Sequence, residues 1–101
     1  MNLEKKPIEC NDMEEIRRQI DELDREIIRL FSIRSEYVHE IVKFKTDEES
    51  VVAKERKELV IKQRGEWAEK LGLDKNTFSE LYARLLQQNI NEELMLLHEK
   101  K

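Results

Sequence analysis

The 101-residue chain is poor in the residues that interrupt helices, cross-link chains or build membrane spans. It has two glycines and one proline, so a turn-rich fold is not expected. Cys10 is the single cysteine and has no internal disulfide partner, which favours a reducing compartment, the cytoplasm. The cationic first residues are followed by no apolar run, so we expect neither a signal peptide nor a membrane partner.

Cofactor and metal sites are also poorly supplied. The sequence has no glycine-rich phosphate loop, and His39 and His98 lack the spacing of metal ligands or of a catalytic triad. We therefore expect no cofactor and no metal, and we interpret both histidines as surface residues.

Charge dominates the composition. Charged residues make up 42% and hydrophobic residues 39%, which is typical of long helices and coiled coils. The net charge of −4 argues against nucleic acid, because a phosphate-binding face needs a cationic excess. The length fits one domain, which we predict over residues 12–101 after a flexible tail of residues 1–11.

A long first helix is predicted from Asp12, which has the spacing of a capping box with Glu15. One helical face follows at intervals of three and four residues: Ile16, Ile20, Leu23, Ile27, Leu30, Arg34, Val38 and Ile41. This face continues to about Lys45, and residues 46–50 are polar enough to be a connection.

Two further helices are predicted. The second has the stripe Val52, Arg56, Val60, Gln63, Trp67 and Leu71, and Gly72 is placed to cap its end. Asp74 is placed to cap the third, whose apolar residues are Phe78, Leu81, Tyr82, Leu85, Leu86, Ile90, Leu94 and Leu97. Strand patterns are absent, so the predicted fold class is all-α.

The first helix is too long for one small domain to enclose. A helix of about 32 residues is roughly 48 Å long, whereas a 100-residue domain has a radius of gyration of about 13 Å. Its apolar stripe therefore needs a second copy, and we predict an intertwined homodimeric helical bundle. A non-catalytic dimeric helical module, with an interaction or regulatory role, is an alternative on these observations.

Charged side chains interrupt each apolar stripe. Arg34 lies between Leu30 and Val38 on the first helix, Arg56 lies between Val52 and Val60 on the second, and Glu93 follows Ile90 on the third. A charge on an apolar face is paired, extended to solvent or used for binding. A single example favours the solvent-directed interpretation, but repetition on all three helices favours an anion site.

Two more cations have informative spacings to Arg34. Lys45 follows it by eleven residues, which in a continuous helix returns it to within about 20° of the same face and roughly 16 Å along the axis. Both side chains can then hold a small dicarboxylate. Arg17 lies about 26 Å before Arg34, so it is either solvated or completes the site of a partner subunit.

The combined pattern resembles the all-helical class of chorismate mutases. The resemblance is carried by Ile16-Arg17, Ile20-Asp21, Leu23-Asp24, Arg34, Phe44-Lys45 and Arg56, and extends from about Cys10 to His98. Tyr37-Val38, Phe44-Lys45, residues 64–68 and Gly72-Leu73 look most similar to the isochorismate-pyruvate lyase branch.

The resemblance implies a pericyclase of the shikimate pathway that converts chorismate to prephenate without a cofactor. The alternative is an isochorismate-pyruvate lyase that forms salicylate and pyruvate, and the resemblance is compatible with one site for both reactions. Lys45, Glu93 and Arg34 would be catalytic; Arg17 from the partner subunit, Arg34 and Arg56 would bind the substrate; and Val38, Val60, Leu86 and Ile90 would line the ring.

Three positions depart from the mutase pattern. Ala53 and Lys57 stand where typical mutases carry acids, and lyase-like relatives lack those acids too. Glu93 stands where many members have glutamine, and a glutamate donates a hydrogen bond only when protonated. These positions make the ligand class better defined than the reaction.

Overall fold

The computed structural model describes residues 6–100, and within that range the chain is helical and contains no β-strand. The α-helices are α1 (Met13–Glu40), α2 (Glu48–Val52), α3 (Lys54–Lys70) and α4 (Lys75–Lys100). Short 3-10 helices span Pro7–Glu9 and Ile41–Phe44. The predicted all-α class with a long first helix is confirmed.

The start of α1 follows the predicted capping pattern with one change of partner. The Asp12 carboxylate accepts a hydrogen bond from the Glu15 backbone N–H at 2.9 Å. The Glu15 carboxylate accepts one from the backbone N–H of Asn11 at 2.8 Å, not from that of Asp12. Two backbone donors are thus satisfied at this helix start. Residues 1–5 of the predicted tail lie outside the described residues.

The end of α1 differs from the prediction. The α-helix stops at Glu40, residues 41–44 tighten into a 3-10 helix, and Lys45 has extended backbone angles of φ −104° and ψ 136°. A 3-10 helix advances and rotates more per residue than an α-helix. The expectation that Lys45 shares the α1 face of Arg34 by helical periodicity is therefore wrong.

The second predicted helix is broken near its start. Asp47 caps the one-turn helix α2 by accepting a bond from the Ser50 N–H at 2.8 Å, inside the segment predicted as a connection. Ala53 then adopts a left-handed conformation with φ 39° and ψ 58°, and α3 begins after it. Because α2 and α3 are separate helices, Val52 and Arg56 do not share one continuous stripe.

The predicted connection between the last two helices is confirmed. Gly72 has φ +80°, a conformation that favours glycine, and its N–H donates to the carbonyl of Glu69 while that of Leu73 donates to Ala68. The Asp74 carboxylate then accepts bonds from Thr77, whose hydroxyl and backbone N–H lower the pKa of Asp74.

By its internal contacts the chain divides inside α1 into two units, Met1–Glu36 and Tyr37–Lys101. Within the first unit, no residue of α1 is buried. Its ion pairs join residues three apart on the same helix: Arg17 with Glu14, Arg25 with Glu22, and Arg29 with Glu26.

The second unit has a buried core in which α4 packs on α2, α3 and the 3-10 helix. Its buried apolar side chains are Val42, Val51, Val60, Ala68, Ile90 and Leu97. Helices α3 and α4 approach closely at Gly65, where an added Cβ would lie 2.3 Å from the Ser79 hydroxyl oxygen. None of the helices in residues 6–100 combines the length and apolar character that a membrane crossing requires.

Candidate active site

A buried ion pair joins Lys45 to Glu93 in the second unit. The Lys45 Nζ donates to Glu93 Oε1 at 3.0 Å, and the two side chains are 17% and 7% exposed. Residues 45 and 93 are brought together by the end of the 3-10 helix and the middle of α4. The structure therefore unites two of the predicted catalytic residues, which the helical periodicity of α1 did not predict to be in contact.

The burial of this pair affects both its contribution to stability and what it can do chemically. Charges removed from water lose hydration, so a buried pair contributes less to folding than apolar residues of similar size. In a reaction site, a charge held in this way can stabilise a charge that develops in the transition state. An ammonium has three N–H donors and Glu93 accepts one, so the Lys45 group has donors for a ligand oxygen.

The four residues predicted to line the ring all belong to the second unit. Val60 and Ile90 are buried, while Val38 and Leu86 are half-buried. Ile90 lies one helical turn before Glu93 and belongs to the buried cluster with Val42, Val51 and Leu97. Glu93 is thus buried on the helix that also contributes Ile90 and Leu97 to this cluster.

Arg56 is exposed near the start of α3, where it lines a surface cavity of about 770 Å³. The other lining residues are Glu48, Glu49, Val52, Ala53, Lys54 and Glu55. Neither Lys45 nor Glu93 lines this cavity. The expectation of one continuous stripe is wrong at Val52, because the left-handed Ala53 ends α2; Arg56 itself lies one helical turn before the buried Val60 in α3.

The remaining predicted cations belong to the first unit. Arg34 is half-buried, and Arg17 is exposed and pairs with Glu14 at 3.3 Å. Arg17 has the surroundings of a solvated first-turn residue in the isolated chain. Its role toward a partner subunit stays a prediction.

Two further contacts to α4 were not predicted from the sequence. His39 at the end of α1 pairs with Glu92 on α4, and this hydrogen bond, with a weaker contribution from Gln88, lowers the pKa of Glu92. Lys57 Nζ donates to the Gln87 side-chain oxygen at 3.0 Å, which links α3 to α4. Both partners are far apart in sequence, so no periodic signal reveals them.

Comparison with known proteins identifies the family. A family model described as chorismate mutase type II matches residues 16–94. The chain belongs to this family. It is also 32% identical over 90 residues to a protein of Pseudomonas aeruginosa named isochorismate pyruvate lyase, and the match covers 89% of each chain. The matched range includes Lys45, Arg56 and Glu93.

Proposed function

We propose that this protein is a chorismate mutase-type pericyclase that converts chorismate to prephenate. The observation that carries the proposal is the buried Lys45–Glu93 pair in a chain of the chorismate mutase type II family. In this rearrangement the ether C–O bond breaks while a C–C bond forms between the enolpyruvyl methylene and the ring. The electrons move in one cycle, so the reaction needs no nucleophile and no cofactor.

The proposed catalytic roles follow from where charge develops. Negative charge grows on the ether oxygen as the C–O bond breaks, and Lys45 is proposed to donate to that oxygen. Arg34 and Arg56, with Arg17 of the partner subunit, are proposed to hold the carboxylates and keep the substrate in its folded, reactive conformer. Val38, Val60, Leu86 and Ile90 are proposed to enclose the ring.

Glu93 has two possible parts in this proposal. As a carboxylate it accepts from Lys45 at 3.0 Å and orients the ammonium. As a neutral acid it would donate a hydrogen bond to the ether oxygen. We propose the second role under acidic conditions, where turnover then increases.

We further propose that the active protein is a homodimer. In the isolated chain the side chains of Ile16, Ile20, Ile27 and Leu30 on the α1 stripe are 44 to 53% exposed. A second copy related by twofold symmetry would cover these side chains and bring its Arg17 to the site. The Lys45 and Glu93 of each site come from one and the same chain.

Isochorismate-pyruvate lyase activity is the second candidate, and the residues at positions 53 and 57 favour it. Ala53 has no polar group, and the Lys57 ammonium is bound to Gln87, so neither position supplies the acid expected in a typical mutase. The similar Pseudomonas aeruginosa protein also carries the lyase name. In this reaction the ether bond breaks as a ring hydrogen passes to the enolpyruvyl methylene, giving salicylate and pyruvate.

The test is a side-by-side assay of the purified chain with chorismate and with isochorismate. Prephenate formation supports the mutase proposal, and salicylate with equimolar pyruvate supports the lyase; the faster reaction identifies the main activity. Lys45→Met, purified in the same way, controls for contaminating enzymes. If the chain neither turns over nor binds either dicarboxylate, the catalytic proposal is wrong and the non-catalytic helical module replaces it.

A further inference from the structure

The side chain of Lys100 makes an unusual set of contacts with the segment that carries Lys45. Its Nζ donates to three backbone carbonyls, those of Val42 at 3.0 Å, Lys43 at 3.4 Å and Lys45 at 2.9 Å. All three ammonium N–H groups therefore have acceptors in residues 42–45. One side chain at the end of α4 therefore binds three carbonyls at the end of the 3-10 helix.

These carbonyls need partners because a helix end leaves its last C=O groups without backbone donors. The Lys45 N–H closes the 3-10 helix on the Val42 carbonyl at 3.0 Å, and that carbonyl also accepts from Lys100. A cation is the favoured donor at such an end, where the partial charge is negative. Lys100, 55 residues after Lys45 in the sequence, provides this cation.

Three residues of α4 on one face contact this segment in different ways. Glu93, Leu97 and Lys100 are separated by four and then three residues, so they share one side of the helix. Glu93 binds the Lys45 side chain, and Leu97 belongs to the buried cluster that includes Val42. Lys100 binds the backbone. Residues 42–45 thus contact α4 through the Lys45 side chain, through the apolar Val42 and through their backbone carbonyls.

We propose that Lys100 is a positioning residue that fixes the backbone of residues 42–45 so that the Lys45 ammonium stays beside Glu93. This proposal rests on the catalytic role proposed above for Lys45. Because Lys45 has extended backbone outside any helix, its direction depends on these carbonyl contacts and not on a continuing helical ladder. Small displacements of a catalytic group reduce turnover strongly, by about 10²-fold per Å in unfavourable cases.

The experiment compares Lys100→Met, which removes the donors and the charge, with Lys100→Arg, which keeps a cation and several N–H groups. Lys62→Met is the matched control, because Lys62 is an exposed lysine of α3 and its replacement changes the net charge equally. Hydrogen exchange of the Lys45 backbone N–H is measured by NMR in each variant. Steady-state rates are measured with the substrate that the wild type uses.

In Lys100→Met we expect the Lys45 N–H to exchange about tenfold faster, and kcat to decrease roughly tenfold while KM changes less than about twofold. KM changes little because Lys45 acts on charge that grows in the transition state. Lys100→Arg should recover most of kcat, and Lys62→Met should match the wild type in both measurements. Circular dichroism verifies that each variant remains helical.

Unchanged exchange at Lys45 in Lys100→Met overturns the proposal, and so does faster exchange with unchanged kcat. Equal loss of kcat in Lys100→Arg and Lys100→Met also overturns it. If the wild type turns over neither dicarboxylate, the proposed function fails separately. The exchange comparison then decides alone whether Lys100 holds residues 42–45.

Discussion

The two units of this chain are stabilised in different ways. In Met1–Glu36 the α1 residues are unburied and the ion pairs join neighbours on one helix. In Tyr37–Lys101 six apolar side chains are buried and polar contacts cross between helices, from Lys45 to Glu93 and from Lys57 to Gln87. Local pairs on an exposed helix contribute little, whereas buried cross-helix pairs depend on the whole fold.

This difference indicates how the two units contribute to function. The second unit has its own core and carries the ion pair proposed for catalysis. The first unit carries Arg17 and Arg34 on a helix with an apolar stripe that its own residues do not bury. The second copy proposed above would cover this stripe, whereas the second unit has apolar side chains buried by its own chain.

Replacement of Lys45 is expected to have the largest effect. Lys45→Met should lower turnover at least about 100-fold by removing the donor to the ether oxygen. It should also reduce the free energy of unfolding by about 3 kcal/mol, because Glu93 remains buried without its cation. Rates and urea unfolding measure the two effects.

A matched variant in the first unit sharpens this result. Arg25→Met removes the exposed pair with Glu22 and should change the free energy of unfolding by less than about 1 kcal/mol. In the second unit, the double replacement of Lys45 by Met and Glu93 by Leu should recover most of the lost stability but no turnover. If Arg25→Met and Lys45→Met destabilise equally, the contrast between the units is wrong.

Disruption of the α1 stripe is the next largest effect. Ile27→Glu should convert a dimer to a monomer and remove most activity, because a charge on the stripe opposes burial by the second copy. Ser32→Glu introduces the same charge on the opposite side of α1, about 140° away, and should leave the dimer intact. Light scattering after size-exclusion chromatography measures the mass. A monomeric wild type would contradict the dimer proposal.

Replacement of Glu93 tests the origin of a pH dependence. The proposed neutral Glu93 predicts that wild-type kcat rises as the pH falls toward mildly acidic values. Glu93→Gln keeps an oxygen for Lys45 and always has N–H donors, so its rate should be nearly independent of pH and at least equal to wild type near neutrality. An unchanged pH–rate profile in Glu93→Gln would show that this carboxyl group does not act as the acid.

The smallest expected effect concerns packing between α3 and α4. Gly65→Ala should cost about 1 kcal/mol, since overpacking against Ser79 outweighs the gain in helix propensity. On a Ser79→Ala background the same substitution should cost less or stabilise. In the first unit, Ser32→Ala should change stability by less than about 0.5 kcal/mol. Thermal unfolding measures all four variants, and additivity of the Gly65 and Ser79 changes would exclude direct contact.

The parts of this fold that the sequence predicts are those determined by neighbouring residues. Caps at Asp12 and Asp74 and the turn at Gly72 depend on groups within a few positions, so their patterns are readable. The ends of α1 and α2 could not be predicted in this way, because no glycine or proline marks them. Ala53 is left-handed at a conformational cost that the flanking helices must offset.

The candidate site shows the same limit. Glu93 was recognisable as a charge on an apolar stripe, and the structure buries it. Its partner Lys45 is 48 residues away, and the periodicity argument that placed Lys45 on the α1 face fails where the 3-10 helix begins. Lys100 has helical spacing to Glu93 and Leu97, so the sequence could have predicted that it lies on the same side of α4. Its carbonyl partners required the tertiary structure.

The most direct test of the account is complementation between two inactive variants, Arg17→Ala and Lys45→Met. If each site combines Arg17 of one subunit with Lys45 of the other, a mixed dimer has one intact site and one doubly defective site. Random mixing of equal amounts makes half of the dimers mixed, so the account predicts about a quarter of wild-type activity after subunit exchange. Activity no higher than that of the separate variants, with mixed dimers shown by mass spectrometry, would contradict a site shared between subunits.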